Sequence, residues 1–294
     1  MDKLLLVYNP VAGGGLFKDS LDEVVEILQT KGYQVIVHRT GNDENLDLVI
    51  SSSKEFINAV VAAGGDGTIH SVVNAMLKNN MAHIPLGIIP VGTSNDIANY
   101  LRIPSSFSDA IEIIGTRKVT YIDIGEVNDS YFMNVASGGL LMEVPHTTNV
   151  KLKNITGRLA YYLKGIEKLP SLKPIPVKIS CPEETIDEEI LLFVVLNSST
   201  AGGFKNLAPA ASMIDGKLDV LIFKAVPIAR LLSVFVKILK GDHLEDTSLK
   251  YFQTTGPIEI TCEASVSTDV DGEKGPDFPM YINLHKRVLP VFVA

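Results

Sequence analysis

The chain has 294 residues, of which 46% are hydrophobic and 20% charged, the balance of an ordinary globular protein long enough for two domains with separate cores. A formal net charge of −8 excludes a general nucleic-acid binder, because no broad basic surface is implied. Two cysteines, Cys181 and Cys262, are too few for a disulfide framework and read as buried thiols of a reducing cytosol.

Lys3 to Tyr8 reads as a buried strand that stops at once at Asn9-Pro10, so the opening is not taken for a secretory signal. Phe17 to Lys31 carries apolar residues at 21, 24, 25 and 28, which is helical spacing. Gln34 to Arg39 and Phe56 to Ala63 read as second and third strands, with a helix from Ile69 to Leu77 and a fourth strand from Ile84 to Pro90. This βαβα order over residues 1–122 predicts an α/β domain, a parallel sheet with helices on both faces. After Tyr121 short strand-like runs follow at 121–127, 131–136, 175–181, 190–196, 218–224, 257–262, 265–270 and 279–284. They predict a mostly antiparallel β domain over 123–287. Helical segments near 155–169 and 227–240 interrupt it. The last apolar run, Val288 to Val293, fits either closure of the second domain or a return to the first. No apolar run reaches the roughly 20 residues that span a bilayer, so a soluble protein, at most resting on a membrane surface, is expected.

Three polar, glycine-containing loops follow strands of the first domain, and ligands on parallel sheets bind outside the carboxyl ends of the strands. The most informative is Gly64-Gly65-Asp66-Gly67-Thr68. Its glycines permit close backbone approach, and the helix that follows points free N–H groups at the turn, which makes a phosphate cradle. Asp66 would repel phosphate unless a divalent metal sits between them, as in nucleoside-triphosphate chemistry. Asn9-Pro10-Val11-Ala12-Gly13-Gly14-Gly15 is a second strand-to-helix turn suited to phosphate, although any such turn can be glycine-rich. Gly92-Thr93-Ser94-Asn95-Asp96, taken alone, reads better as a helix cap with Asp96 complementing the dipole. Three such loops at one end of one sheet favour a shared site. The chain has neither a G-x-x-x-x-G-K-[ST] P-loop nor a G-x-G-x-x-G pattern, so nucleotide must be held in another way. Asp271-Gly272-Glu273 reads as a hairpin turn; Glu273 just beyond it either flanks that turn or projects into a cleft as a general base.

Taken in order, these elements resemble the diacylglycerol kinase catalytic family, specifically its soluble bacterial lipid kinases. The likeness runs through Asn9-Pro10, Thr40, the Gly64-to-Thr68 turn and Pro90-Val91-Gly92-Thr93-Ser94-Asn95-Asp96. It continues through Asn134-Val135-Ala136-Ser137-Gly138, Gly157-Arg158-Leu159-Ala160-Tyr161, Asn206-Leu207-Ala208-Pro209, Asp215-Gly216-Lys217-Leu218-Asp219 and Asp271-Gly272-Glu273. The glycine-aspartate turn alone is shared with NAD kinases and loosely with phosphofructokinases; the ordered set is far more specific.

The resemblance implies a kinase-type α/β domain followed by a β-sandwich, and an ATP-dependent lipid kinase making phosphatidate from diacylglycerol. It implies an ATP site on Asn9, Pro10, Val11, Ala12, Gly13, Thr40, Gly64, Gly65, Gly67, Thr68, Ile69, His70, Ser71, Thr93 and Asn95. Asp66, supported by Asp96, would organise a catalytic Mg²⁺ through water, and Glu273 would take the proton from the lipid hydroxyl. Asp215, with Ser212 and Lys217 and less certainly Asp219, would hold a structural Mg²⁺; without the resemblance, Asp215 to Asp219 is an ordinary Asp-Gly turn. Lys164 is the residue implied for lipid contact.

Two departures stand out. His70-Ser71 replaces the Asn-Glu common in relatives, and Gly139 to Glu143 lacks their Phe-Asp-Ala. The resemblance implies a protein that works in the cytoplasm, peripheral to the anionic inner face of the cell membrane. Arg230, Ser233, Lys237 and Lys240 form a basic stripe beside an apolar face; such a pattern suits a helix on anionic lipid but more often marks a core-packed helix with a solvated edge. Edge strands of the β domain would support a homodimer. Other lipid alcohols such as phosphatidylglycerol or a sphingoid base, NAD phosphorylation, and a non-catalytic nucleotide or lipid sensor are the alternatives.

Overall fold

The protein is described by a computed structural model covering residues 1–41, 46–139 and 174–294. The helix expected near 155–169, and Lys164 with it, lies outside the described residues.

The first half follows the expected alternation. Strands β1 (Asp2–Tyr8), β2 (Tyr33–Arg39), β3 (Ala59–Gly64) and β4 (Leu86–Pro90) pair in parallel in the order β2-β1-β3-β4. β3 and β4 are buried along their whole length, as expected of strands covered on both faces. The helices are α1 (Leu16–Asp19), α2 (Leu21–Thr30), α3 (Leu46–Ser53), α4 (Asp66–Lys78), α5 (Asp96–Tyr100) and α6 (Phe107–Thr116). α2 packs on α6 and α3 packs on α4, giving the sheet a helical layer on each face. The single helix expected over 17–31 is broken at Ser20, whose non-helical backbone separates α1 from α2.

Strands β5 (Val119–Val127), β6 (Ser130–Phe132), β7 (Val135–Gly139), β8 (Ile175–Ser180), β9 (Thr185–Leu196) and β10 (Leu218–Lys224) open the antiparallel part. After α7 (Ile228–Lys240) come β11 (Leu249–Thr254), β12 (Ile258–Cys262), β13 (Thr268–Val270), β14 (Glu273–Lys274) and β15 (Met280–Phe292). The run expected at 131–136 is two strands, because the N–H groups of Met133, Asn134 and Val135 all donate to the carboxylate of Asp271.

β15 settles where the last apolar run goes. Its first half pairs with β12, Ile282 opposite Ile258. Along its length it also pairs with β5, and that register shifts between His285 and Leu289, with Arg287 in the left-handed region (φ 51°). Beyond the shift Val291 pairs in parallel with Leu86 of β4, and Leu289, Val291 and Phe292 join the core of the first half. One strand therefore belongs to both halves and ties the hairpin region to the sheet that carries the glycine loops. Among the described residues no helix is long and apolar enough to cross a membrane.

Candidate active site

The chain changes direction across the sheet between β1 and β3: the connection from β1 leads outward to β2, and β3 leads the other way to β4. A crevice opens at such a switch point, beyond the strand ends. The three glycine loops meet there and pack on one another. A Cβ on Gly13, whose φ is +58°, would stand 2.6 Å from the Val91 carbonyl oxygen. A Cβ on Gly92 would stand 2.5 Å from the Cα of Gly65. Backbone touches backbone at both points, so glycine is required for the loops to converge.

The result is a cleft of about 540 Å³. Of the residues expected at the nucleotide site, it brings together Asn9, Ala12, Gly13 and Thr40 from the first strands, Gly65, Gly67, Thr68 and Ser71 from the second loop and α4, and Thr93 from the third. Gly41, Leu46 and Gly92 line it as well. Asn9 reaches across with its amide to the Thr68 hydroxyl at 3.5 Å, and Thr40 bonds back to the Tyr8 carbonyl.

Other expected residues stand elsewhere. Because residues from Asp66 onward are helical, only one side of the turn faces the cleft. Ile69 is fully buried in the core, and His70 is turned toward Asp271. Gly64 is the buried end of β3, packed against Thr68. Pro10 is half-buried and Val11 is exposed, the latter donating its N–H to Asn9 Oδ1 at 3.0 Å. Asn95, in the left-handed region, braces its own loop by exchanging hydrogen bonds with Gly92.

Asp66 points its carboxylate at the start of α5, where Oδ1 accepts the Ile97 N–H at 3.3 Å. Burial pushes its pKa above the usual carboxylate range; the N–H groups of Ile97 and Asp96 pull it back, and the nearby Asp271 carboxylate pushes it up again. Asp96 is buried and its Oδ2 accepts the Gly203 N–H at 3.0 Å, which anchors the loop after β9. Thr200 of that loop donates its hydroxyl to the Asp96 carbonyl. Among the described residues no three His, Cys, Asp or Glu side chains cluster as a cage. The Asp66 carboxylate, at the edge of the cleft, is the kind of donor that Mg²⁺ commonly combines with waters and substrate phosphates.

Glu273 reaches the cleft from the far end of the chain. Asp271 and Gly272 form a two-residue loop between β13 and β14, with φ values of +52° and +91°. Positive φ at both positions is what Asp-Gly supplies in tight hairpins. Glu273 follows immediately and leans over the first turn of α4: its Oε1 lies 2.9 Å from where a Cβ on Gly67 would be. Both sequence readings of this tripeptide therefore hold together, a hairpin turn and a carboxylate in the cleft.

Sequence reasoning missed Asp271 itself. It is buried, and it gathers the N–H groups of Met133 (2.8 Å), Asn134 (3.0 Å) and Val135 (2.8 Å) together with His70 Nδ1 (3.4 Å). Asn74 was missed too. It holds the backbone of Tyr131 with both ends of its amide, at 2.8 Å and 2.9 Å. The Asp-Gly pair signalled the turn, but nothing local signals what the aspartate captures.

The residues expected around a second cation are distributed as follows. Asp215 is exposed and accepts the Lys217 N–H at 3.0 Å, the geometry of an Asp-Gly turn. Ser212 accepts a long bond from the Tyr100 hydroxyl. Asp219 is fully buried in β10, bonded to Tyr251 and Gln253, and its Oδ2 has no hydrogen-bond partner among the described residues. Burial raises its pKa, the bonds from Tyr251 and Gln253 lower it, and the Asp215 charge raises it. A buried carboxylate oxygen without a donor, close to a second carboxylate, is chemistry that a hard cation fits.

On α7 the expected basic stripe is largely neutralised. Lys237 and Arg230 both pair with the buried Asp246, at 2.7 Å and 2.9 Å. Leu231, Val234, Phe235 and Ile238 pack inward. The core-packed reading of this helix is the one the geometry follows.

A glycine-lined cleft at the switch point of an α/β sheet, faced by a carboxylate from the antiparallel half, is an arrangement that suits phosphoryl transfer. Residues 3–127 match the diacylglycerol kinase catalytic domain, and residues 134–293 match the YegS C-terminal NAD kinase beta sandwich-like domain. The chain is 36% identical over 294 residues to the diacylglycerol kinase of Bacillus subtilis (strain 168), covering 98% of this chain and 95% of the relative. It is 33% identical over 285 residues to that of Staphylococcus haemolyticus (strain JCSC1435), covering 96% and 86%. A crystal structure from Bacillus anthracis str. Sterne superposes with a TM-score of 0.83 at 25% identity over 100% of this chain and 95% of that one. A diacylglycerol kinase of the same strain, at 22% identity and a TM-score of 0.77 over 100% and 97%, bears on the fold alone. The chain belongs to the diacylglycerol kinase family and is a lipid kinase.

Proposed function

We propose that this kinase transfers the γ-phosphate of ATP to the hydroxyl of diacylglycerol, giving phosphatidate and ADP, in the cleft between the glycine loops and the Asp271-Gly272-Glu273 hairpin. The observation that carries the reading is the placement of the Glu273 carboxylate over Gly67 at the N-terminus of α4. A phosphate cradled by the loop amides lies within reach of a carboxylate from the other half of the molecule. Phosphoryl transfer depends on positioning and neutralised charge. The lipid oxygen forms its bond to phosphorus as the bond to the ADP oxygen breaks, and Glu273 accepts the hydroxyl proton.

Asn9, Gly13, Thr40, Gly65, Gly67, Thr68, Ser71 and Thr93 would bind the nucleotide. Asp66 would hold Mg²⁺ through water, and the bound cation would supply positive charge at the transferring phosphate. Asp96 would support it by fixing α5 and the Gly203 loop. Asp215 and Asp219, with Ser212 and Lys217, would hold a second, structural cation.

The enzyme would work in the cytoplasm at an anionic membrane surface. Lys164 would contact the lipid, and two copies would assemble as a homodimer.

The test is transfer of labelled γ-phosphate from Mg·ATP to diacylglycerol, phosphatidylglycerol, sphingosine and NAD, the lipids in mixed micelles. Label in diacylglycerol, absent with Asp66→Asn, is expected. Label only in another acceptor overturns the substrate assignment, and label in none of them overturns the reading as a whole.

A further inference from the structure

His70 is one helical turn beyond the phosphate loop, on α4, and it does not face the cleft. Its imidazole is buried between α4 and the hairpin that bears Glu273. Nδ1 lies 3.4 Å from Asp271 Oδ2, and Nε2 lies 3.4 Å from the amide nitrogen of Asn74.

Asn74 and Asp271 together indicate which ring nitrogen carries a hydrogen. Oδ1 of Asn74 accepts the Tyr131 N–H at 2.9 Å and its Nδ2 donates to the Tyr131 carbonyl at 2.8 Å, so the amide cannot be reversed without pairing donor with donor and acceptor with acceptor. That nitrogen also reaches the carbonyl of His70 itself at 3.1 Å, so both its hydrogens go to carbonyls, and as an amide nitrogen it cannot accept a hydrogen from Nε2. The Asp271 carboxylate beside Nδ1 can only accept, so Nδ1 carries a hydrogen and donates to it.

The recipient carboxylate is already held from the other half by Met133, Asn134 and Val135. His70 adds a bond from α4, the helix whose first turn contains Asp66 and Gly67. Two residues beyond Asp271 stands Glu273, against Gly67.

We infer that His70 is a positioning residue for phosphoryl transfer: its Nδ1–H fastens the phosphate-binding helix to the Asp271 turn and so sets where the Glu273 carboxylate stands over the helix. This rests on the reading of Glu273 as the base. The bond is an element of registration between the two halves of the cleft. A shift of about 1 Å in a catalytic group is worth roughly a hundredfold in rate, whereas nucleotide contacts made by the glycine loops are unaffected.

Substitutions separate the donor from the volume. In His70→Asn the amide nitrogen occupies the place of Nδ1 and restores the donor. In His70→Gln the amide falls near Nε2 and cannot reach Asp271, although side-chain size and polarity are closer to histidine. The experiment is steady-state kinetics of lipid phosphorylation for His70→Asn, His70→Gln and His70→Leu, with Glu273→Gln in parallel and the melting temperature of each. His70→Asn should keep kcat within about threefold of wild type. His70→Gln and His70→Leu should lose about tenfold or more in kcat, with KM for ATP unchanged. The inference is overturned if His70→Gln matches His70→Asn in kcat, if the loss lies in KM for ATP, or if kcat merely follows melting temperature across the three. Retained turnover in Glu273→Gln would instead remove the base assignment on which the inference stands.

Discussion

Oε1 of Glu273 lies 2.9 Å from the position a Cβ on Gly67 would take, so two residues 206 positions apart share one small volume at the head of α4. The glycine leaves room for the carboxylate, and β15 holds the hairpin's half of the molecule against the sheet that ends in the glycine loops.

Gly67→Ala tests that relationship. Gly67 sits in the first turn of a helix without a positive φ, so alanine adds no backbone strain and its helix propensity is better by about 0.5–1 kcal/mol. The methyl must push the Glu273 carboxylate aside. The expected outcome is an enzyme that melts no lower than wild type yet loses about tenfold or more in kcat. A folded Gly67→Ala enzyme with wild-type kcat would show that the position of Glu273 does not matter.

Asp66→Asn should abolish turnover and, in the absence of Mg²⁺, stabilise the protein at neutral pH. Its folded pKa is raised, chiefly by burial. Ionisation of the folded protein is therefore resisted, and stability falls as pH rises from the ordinary carboxylate range through the raised value. Asparagine keeps an oxygen for the Ile97 N–H without the charge. Melting temperatures from pH 4 to 8 should show the variant's advantage growing with pH; a constant difference would mean that charge burial is not its source.

Removal of divalent cation bears on Asp215 and Asp219. If they hold a cation, Mg²⁺ added without nucleotide raises the melting temperature of the wild-type protein, and Asp219→Asn abolishes that rise. Addition of EDTA reverses it. An identical rise in wild type and Asp219→Asn would place the bound cation somewhere else.

Asp246 anchors α7. Lys237, the Ser248 N–H and the Arg230 guanidinium hold its pKa well below the usual carboxylate range, against the opposing effect of burial. The stability it contributes is present above the unfolded carboxylate pKa and is lost as pH falls through that range toward the depressed value. Asp246→Ala should cost about 2 kcal/mol at pH 7, since charge-assisted hydrogen bonds to a buried carboxylate are lost. Denaturant melts should show this deficit shrinking below pH 4, and a deficit independent of pH would assign it to packing.

Much of the architecture was legible in the sequence because its signals are local. The alternating apolar runs specified the four strands of the first half and helices α2 and α4 within a few residues, while α3 and α6 were not read, and Gly-Gly-Asp-Gly and Asp-Gly named their turns by backbone requirement. Where helices and strands broke, at Ser20 and at Met133-Asn134, the cause was a backbone change or a distant carboxylate that no local pattern records.

The sequence by itself determined the three glycine loops, the turn at Asp271-Gly272 and the order of motifs that places this chain in its family. Only the tertiary structure decided that residues 69 and 70 face away from the cleft, that β15 bends at Arg287 to join both halves, and that Asp271 is a buried anchor for three backbone amides and His70. The reason is physical. Periodicity and turn chemistry act over a few residues, whereas the carboxylate of Glu273 over Gly67 and the imidazole of His70 on Asp271 exist only once the hairpin and α4 are packed together.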